Sequence, residues 1–286
     1  MDIKVYIGDL LEKVREGAPL VHHITNYVTV NDCANITLSI GASPVMADDI
    51  NEVEAMTSIA SSLVINIGTL NSRTVECMLK AGMKANELGI PVILDPVGAG
   101  ATPYRTKVAK TIMDNIELAV IRGNLSEIKT LYGINTKTRG VDSLDDTSMK
   151  DELEKGKLLA KEFSKRVGSI IAITGAVDIV TDGNIIYTVE NGHKIMSKIT
   201  GTGCMCSSLI GSYLGTHEDN LLAALSGVIS MGISGELAYE SLKEGEGTGT
   251  FKVRIMDNIY NLSKEVIEKR GKINEECWLY TLSCNR

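Results

Sequence analysis

The segment Thr200-Gly201-Thr202-Gly203-Cys204-Met205-Cys206-Ser207-Ser208 carries the strongest chemical signal in the chain. Two glycines let the backbone come close to a ligand, and the residues after them open a helix. Free N–H groups and the positive end of the helix dipole then converge on one point, which makes an anion hole. A transferred phosphoryl group, gathering negative charge as it moves, is a suitable occupant. An ordinary glycine-rich helix start has the same spacing, so the segment alone leaves both readings open. Cys204 falls in the first turn, where the dipole is expected to lower a thiol pKa. It can accept a proton from an alcohol, or merely pack. Cys206 is two residues on and points elsewhere, so it reads as structural. Gly201, Thr202, Gly203 and Cys204 are the catalytic candidates.

Other polar residues sit where apolar runs end. Arg122 follows the run Ala119–Ile121. A guanidinium there can clamp phosphates, although a lone arginine is as readily solvated surface. Asp95 ends a run before Pro96 and can hold a metal or cap a turn. On residue type alone Glu127 is a carboxylate in the first turn of a helix, Met46 is core, and His22 and His23 are structural. The common nucleotide signatures are missing: there is no GxxxxGK[ST]. Gly98-Ala99-Gly100-Ala101-Thr102-Pro103 starts like a dinucleotide fingerprint but lacks its third glycine and follows a late strand. None of the six cysteines forms a CxxC pair or has a histidine at ligand spacing, which argues against zinc.

Short apolar runs alternate with amphipathic stretches, and these must position the polar residues. The runs Leu20–Ile24, Ser43–Met46, Leu63–Ile67, Pro91–Leu94, Ala119–Ile121 and Ser169–Ile173 read as strands. Helical patterns such as Thr74–Leu88 and Leu125–Tyr132 lie between them, so βαβ units and a parallel sheet follow. Ala176–Thr181 and Ile185–Glu190 flank Asp182-Gly183-Asn184 and read as a hairpin. Three long helices are expected over 202–215, 219–241 and 249–270, and the polar stretch Thr136–Glu154 reads as a surface loop leading into a helix. Gly68, Gly98, Gly123 and Gly175 end strands, and open α/β sheets bind ligands beyond those carboxyl ends.

Composition agrees with this architecture. With 44% hydrophobic but only 4% aromatic residues, the core must be Ile, Val, Leu, Ala and Met, which suits a sheet covered on both faces. A net charge of −7 argues against a nucleic-acid partner. No run reaches the ~18 uncharged apolar residues of a membrane helix. The N-terminal stretch reads as an amphipathic helix and not a secretory leader, so a cytoplasmic protein is expected.

GTGC followed by a small-residue helix resembles the anion hole of the ribokinase-like kinases. Most of that superfamily has Asp at the fourth position as base on the substrate hydroxyl; Cys there resembles the hydroxyethylthiazole kinases of thiamine salvage. His23-Ile24-Thr25-Asn26-Tyr27-Val28, Gly41-Ala42-Ser43-Pro44-Val45-Met46, Leu94-Asp95-Pro96-Val97-Gly98-Ala99, Arg122-Gly123-Asn124-Leu125-Ser126-Glu127 and Thr174-Gly175 agree, in the family's order, over about residues 19 to 260. The resemblance implies a three-layer αβα ribokinase-like fold: one domain over 1–270, with a tail, 271–286, to which it gives no role. It implies transfer of the ATP γ-phosphoryl group to the primary alcohol of 4-methyl-5-(2-hydroxyethyl)thiazole. Arg122, Thr174 and Asn124 then serve ATP, and Glu127 and Asp95 arrange Mg²⁺. Met46, Asn26 and Gly201 meet the thiazole, and Gly201–Cys204 stabilises the transferring charge. Two other classes stand beside this: a nucleotide-dependent lyase acting on hydrated nicotinamide cofactors, expected to keep Asp at position 204, and a non-catalytic sensor. The intact Asn124, Glu127 and Gly201–Gly203 oppose a dead site.

The segment Ile24–Ala47 holds one charged residue, Asp32. Its expected helix, Val28–Ile40, carries Val28, Val30, Ile36, Leu38 and Ile40 on no single stripe. An outer helix normally shows water a charged face. A second surface is therefore expected to cover it, either other helices of the chain or another subunit. The resemblance favours the subunit and implies a homotrimer with shared sites, Met46 and Asn26 lying near the boundary.

Overall fold

Six parallel strands form the first two-thirds of one sheet in the computed structural model, which describes residues 2–134 and 149–277. They are β1 (Leu20–Ile24), β2 (Ser43–Val45), β3 (Ser62–Asn66), β4 (Val92–Asp95), β5 (Val120–Asn124) and β6 (Ile170–Thr174). The antiparallel strands β7 (Asp178–Thr181), β8 (Ile185–Val189) and β9 (Ile273–Cys277) continue it, in the order β2-β1-β3-β4-β5-β6-β7-β8-β9. The strands alternate between two cores, as a pleated backbone requires. Val64, Ile93, Val120 and Ala172 face one side, and Leu63, Leu94, Ile121 and Ile171 the other.

The first face is covered by α1 (Ile3–Gly17), α2 (Val30–Ile40), α8 (Thr202–Leu214), α9 (Asn220–Glu240), α10 (Thr248–Tyr260) and α11 (Lys264–Arg270). The second is covered by α3 (Val53–Ser58), α4 (Ser72–Glu87), α5 (Pro103–Asn115), α6 (Leu125–Tyr132) and α7 (Met149–Val167). This is the expected three-layer αβα arrangement.

The structure departs from the sequence reading in five places. β4, β5 and β6 run further into their polar ends than expected, because pairing continues there: Asp95 lies opposite Asn66, and Asn124 opposite Thr174. The helix expected over 249–270 is two helices. It breaks at Asn261-Leu262, and Ser263 caps α11 by accepting from Val266 N. The stretch after Gly271 supplies β9, which pairs with β8 from Ile273↔Val189 to Cys277↔Ile185. Trp278 and most of Thr136–Glu154 lie outside the described residues. α9 is, against expectation, long and apolar enough to cross a membrane by composition, yet it is buried almost throughout as the central helix of its layer. Finally, α8 and α10 of the same chain pack on α2, and Asp32 pairs with Lys252 at 2.7 Å. Ile36 is thus in the chain's own core and is no interface residue; Tyr27, Val28 and Leu38 stay exposed.

Candidate active site

Strand order sets the polar residues in a row along the carboxyl edge of the sheet. Met46 follows β2, Asn26 follows β1, Asn66 ends β3, Asp95 ends β4, Arg122 and Asn124 lie on β5, and Thr174 ends β6. Neighbouring strands stand ~4.8 Å apart, so the row spans the length of a small substrate plus a phosphate chain. The N-terminus of α8 meets the middle of the row.

Among the described residues no side chain caps α8, whose N-cap residue, Gly201, adopts φ 94°. A side chain there would be strained, and its Cβ would stand 2.9 Å from Thr29 Cγ2. Helix N-terminal N–H groups therefore face the site, as the anion-hole reading requires. At Gly203 the close neighbour is Arg122: a Cβ would meet Nη1 at 2.5 Å and Nη2 at 2.9 Å. The guanidinium lies against this first turn, donates to Thr174 Oγ1 and stands 3.6 Å from Asp95 Oδ2.

Cys204 is half-buried beside two amides. Asn26 Nδ2 donates to its Sγ at 3.3 Å and to Asn66 Oδ1 at 2.9 Å. Asn66 Nδ2 donates to the same Sγ at 3.3 Å and to Asp95 Oδ2 at 2.9 Å. Asn26 Oδ1 accepts from Thr29 N and Thr29 Oγ1, each at 3.1 Å. The chain Thr29–Asn26–Asn66–Asp95–Arg122–Thr174 is thus polar and continuous. Burial pushes the Cys204 thiol up, and the Asp95 charge adds to this. The hydrogen bonds of Thr29 and Asn26 and the charge of Arg122 oppose the shift without cancelling it. The expectation of a lowered thiol pKa is corrected: the thiol is shifted upward, and its removal from water is the largest cause.

Asp95 is fully buried. Its Oδ2 accepts from Ser207 Oγ at 2.8 Å as well as from Asn66, while its Oδ1 has no partner among the described residues. Burial raises its pKa, against Arg122. Asn124 and Glu127 form a capping box on α6: Glu127 N donates to Asn124 Oδ1 and Asn124 N to Glu127 Oε2, both at 2.8 Å. Glu127 Oε1 also accepts from Gly98 N at 2.8 Å, which ties the β4–α5 loop to the site. Burial, then the Asp95 charge, raises the Glu127 pKa.

Met46 is half-buried at the far end of the row, beside Asn26's strand. His22 and His23 are buried and hydrogen-bonded within the fold, in keeping with structural roles. Sequence reasoning missed Asn66, whose signal was a lone polar residue in an apolar run. It also missed Ser207, one turn into α8, and Asp178. Asp178 accepts from Gly175 N at 2.9 Å and is pushed up to about 7 by burial, against that bond and Arg122. Arg105 went unnoticed too; it donates to the carbonyls of Ile67, Gly68 and Val97 and staples the loops after β3 and β4.

The family model of the hydroxyethylthiazole kinase family matches residues 11–265. The chain is 56% identical over 275 residues to the hydroxyethylthiazole kinase of Alkaliphilus oremlandii, covering 96% of this chain and 100% of that one. Among solved structures, the hydroxyethylthiazole kinase of Pyrococcus horikoshii superimposes with a TM-score of 0.84 at 39% identity, over 95% of this chain and 99% of that one. A pyridoxal kinase from Staphylococcus aureus, in complex with AMP-PCP and pyridoxal, shares the fold alone: TM-score 0.53 at 14% identity, over 76% and 88% of the two chains.

Proposed function

Because this chain belongs to the hydroxyethylthiazole kinase family, we propose that it transfers the γ-phosphoryl group of ATP to the primary alcohol of 4-methyl-5-(2-hydroxyethyl)thiazole, for thiamine synthesis. The observation that carries this reading is the uncapped start of α8 between Asn26 and Asn66 on one side and Arg122 and Thr174 on the other. An anion hole flanked by an amide pocket and a guanidinium suits a phosphoryl group passing between a polar ring alcohol and a nucleotide.

Each residue has a part in that transfer. Arg122 and Thr174 hold the nucleotide phosphates, with Asn124 fixing the turn beside them. The N–H groups of Thr202, Gly203 and Cys204 receive the charge on the transferring group. Met46 packs on the thiazole ring and Asn26 orients it, with the Gly201 backbone alongside. Cys204 borders the attacking hydroxyl as a protonated thiol. A loose phosphoryl-transfer transition state makes little demand on a base, so positioning is its contribution.

Asp95 supports a divalent cation. Its Oδ1 is buried without a partner among the described residues, and it lies close enough to Glu127 for its charge to raise that carboxylate's proton affinity. Mg²⁺, when bound, neutralises phosphate charge and keeps much of its own water. Both Glu127 oxygens already accept backbone N–H groups, so that carboxylate serves the cation through water. A homotrimer with shared sites belongs to the same proposal, supported by exposed Tyr27 and Val28, next to Asn26 in the chain, and by exposed Leu38 further along α2. A coupled assay of ADP release tests the activity. Turnover with the thiazole alcohol is expected; ADP release that ignores the alcohol, or its absence, overturns it.

A further inference from the structure

The edge strand β2 is three residues long and only half-buried. It pairs with β1 through Leu20↔Ser43, Val21↔Pro44 and His22↔Val45, and there the ladder ends. Met46 is therefore the first residue without a strand partner. The chain is caught again one residue later, by the side chain of the same histidine: His22 Nε2 lies 2.7 Å from the Ala47 carbonyl. A carbonyl only accepts, so Nε2 carries the proton. His22 Nδ1, then an acceptor, lies 3.0 Å from Thr57 Oγ1 on α3, whose one hydroxyl proton is shared between it and the Val53 carbonyl. The ring is wholly buried. Beyond Ala47, the Asp48 carbonyl accepts from Cys77 Sγ and Arg73 Nη1, each at 3.1 Å. His22 thus grips both sides of Met46, by backbone register before it and by an imidazole hydrogen bond after it.

We propose that His22 is a positioning residue for the thiazole end of the site, holding Ala47 so that Met46 presents its side chain to the ring of the substrate. The inference rests on Met46 being a substrate contact. Without the Nε2 bond, a buried carbonyl is left unpaired and the unladdered residues 46–47 are free to relax outward. Substrate affinity at the thiazole end then falls, while the nucleotide end, four strands away, is untouched.

Two amide substitutions separate the two ends of the ring. In H22Q the amide nitrogen stands where Nε2 stood and still donates to Ala47. In H22N it stands where Nδ1 stood and serves only Thr57. H22N is expected to raise KM for the thiazole alcohol ~10-fold, with kcat and KM for ATP within ~2-fold; H22Q stays within ~3-fold throughout. In an M46A background, H22N adds nothing further, because its effect passes through Met46. Equal thiazole KM values for H22Q and H22N overturn the proposal, and so does an H22N effect that persists in full beside M46A. If H22N does not fold, H22Q decides alone: a thiazole KM raised ~10-fold with ATP KM unchanged overturns it. Unchanged thiazole KM in M46A removes the substrate-contact reading beneath it; a raised KM in M46A with H22N at the wild-type value removes the proposal alone.

Discussion

Replacing Gly203 by alanine separates folding from phosphate handling. Gly203 lies inside α8 and does not use a left-handed backbone, so alanine fits its conformation. Helix propensity alone favours the change by up to ~1 kcal/mol. The added Cβ, however, lands 2.5 Å from Arg122 Nη1 and 2.9 Å from Nη2. The guanidinium has to retreat, although it is only 11% exposed and held by Thr174 and Asp95. Losing one charge-assisted hydrogen bond is worth ~1.5–3 kcal/mol, or about 10- to 150-fold in a rate or binding constant. G203A is therefore expected to stay folded, its helix gain offsetting part of the cost of displacing Arg122, while kcat/KM for ATP falls by ~10- to 100-fold. Thermal denaturation and steady-state kinetics at varied ATP measure both. R122A should show the same deficit, and G203A should add little to it. A G203A enzyme within ~2-fold of wild type in kcat/KM for ATP refutes the placing of Arg122 on the nucleotide.

Three further outcomes follow. Because burial and Asp95 keep the Cys204 thiol protonated near neutral pH, C204A is expected to hold kcat within ~10-fold of wild type, and C204D, with a carboxylate available as base, to exceed C204A; a loss of ~10²-fold or more in C204A makes the thiolate a base after all. Unfolded Asp178 loses its proton near 3.8 and folded Asp178 at about 7, so between them the folded chain binds more protons and wild-type stability falls as pH rises, by up to ~4 kcal/mol. D178N, whose Oδ1 still accepts from Gly175, should lose that decline, and an equal drop in urea midpoint from pH ~5 to pH ~8 in both proteins refutes this. Light scattering should report three subunits, with L38E lowering both mass and thiazole affinity; a fully active wild-type monomer overturns the shared site.

What the sequence made legible was local. Apolar runs, the glycines ending them and the GTGC helix start are each decided within about ten residues, and the structure has them near the expected positions. What it hid depends on pairing across the sheet. Asn66 matters because register sets it against Asp95, and because Asn26, forty residues away, donates to it. Ile36 turns inward because α10 packs over α2, a contact made by residues more than two hundred positions apart. The Cys204 pKa went the other way for a related reason. The dipole is a property of its own helix, whereas burial, the largest cause of the upward shift, is a property of the whole site.

The hydrogen-bond chain through the site bears on how its two ends communicate. Both protons of the Asn26 amide and both of the Asn66 amide are committed, to Asn66 Oδ1, Asp95 Oδ2 and the Cys204 sulfur. Neither amide can rotate without leaving a buried acceptor unpaired, so the thiol is held as an acceptor between two rigid donors. Asp95 is bound on one oxygen by Asn66 and Ser207, with Arg122 beyond it, while its other oxygen has no partner among the described residues. A site so constrained around the thiol, and so unfinished at one carboxylate oxygen, suits the proposed reaction, which needs alignment and a cation more than a strong base. It also means that a ligand engaging Asp95 or Arg122 acts on a network that ends at Thr29 and Asn26, the end proposed to orient the alcohol.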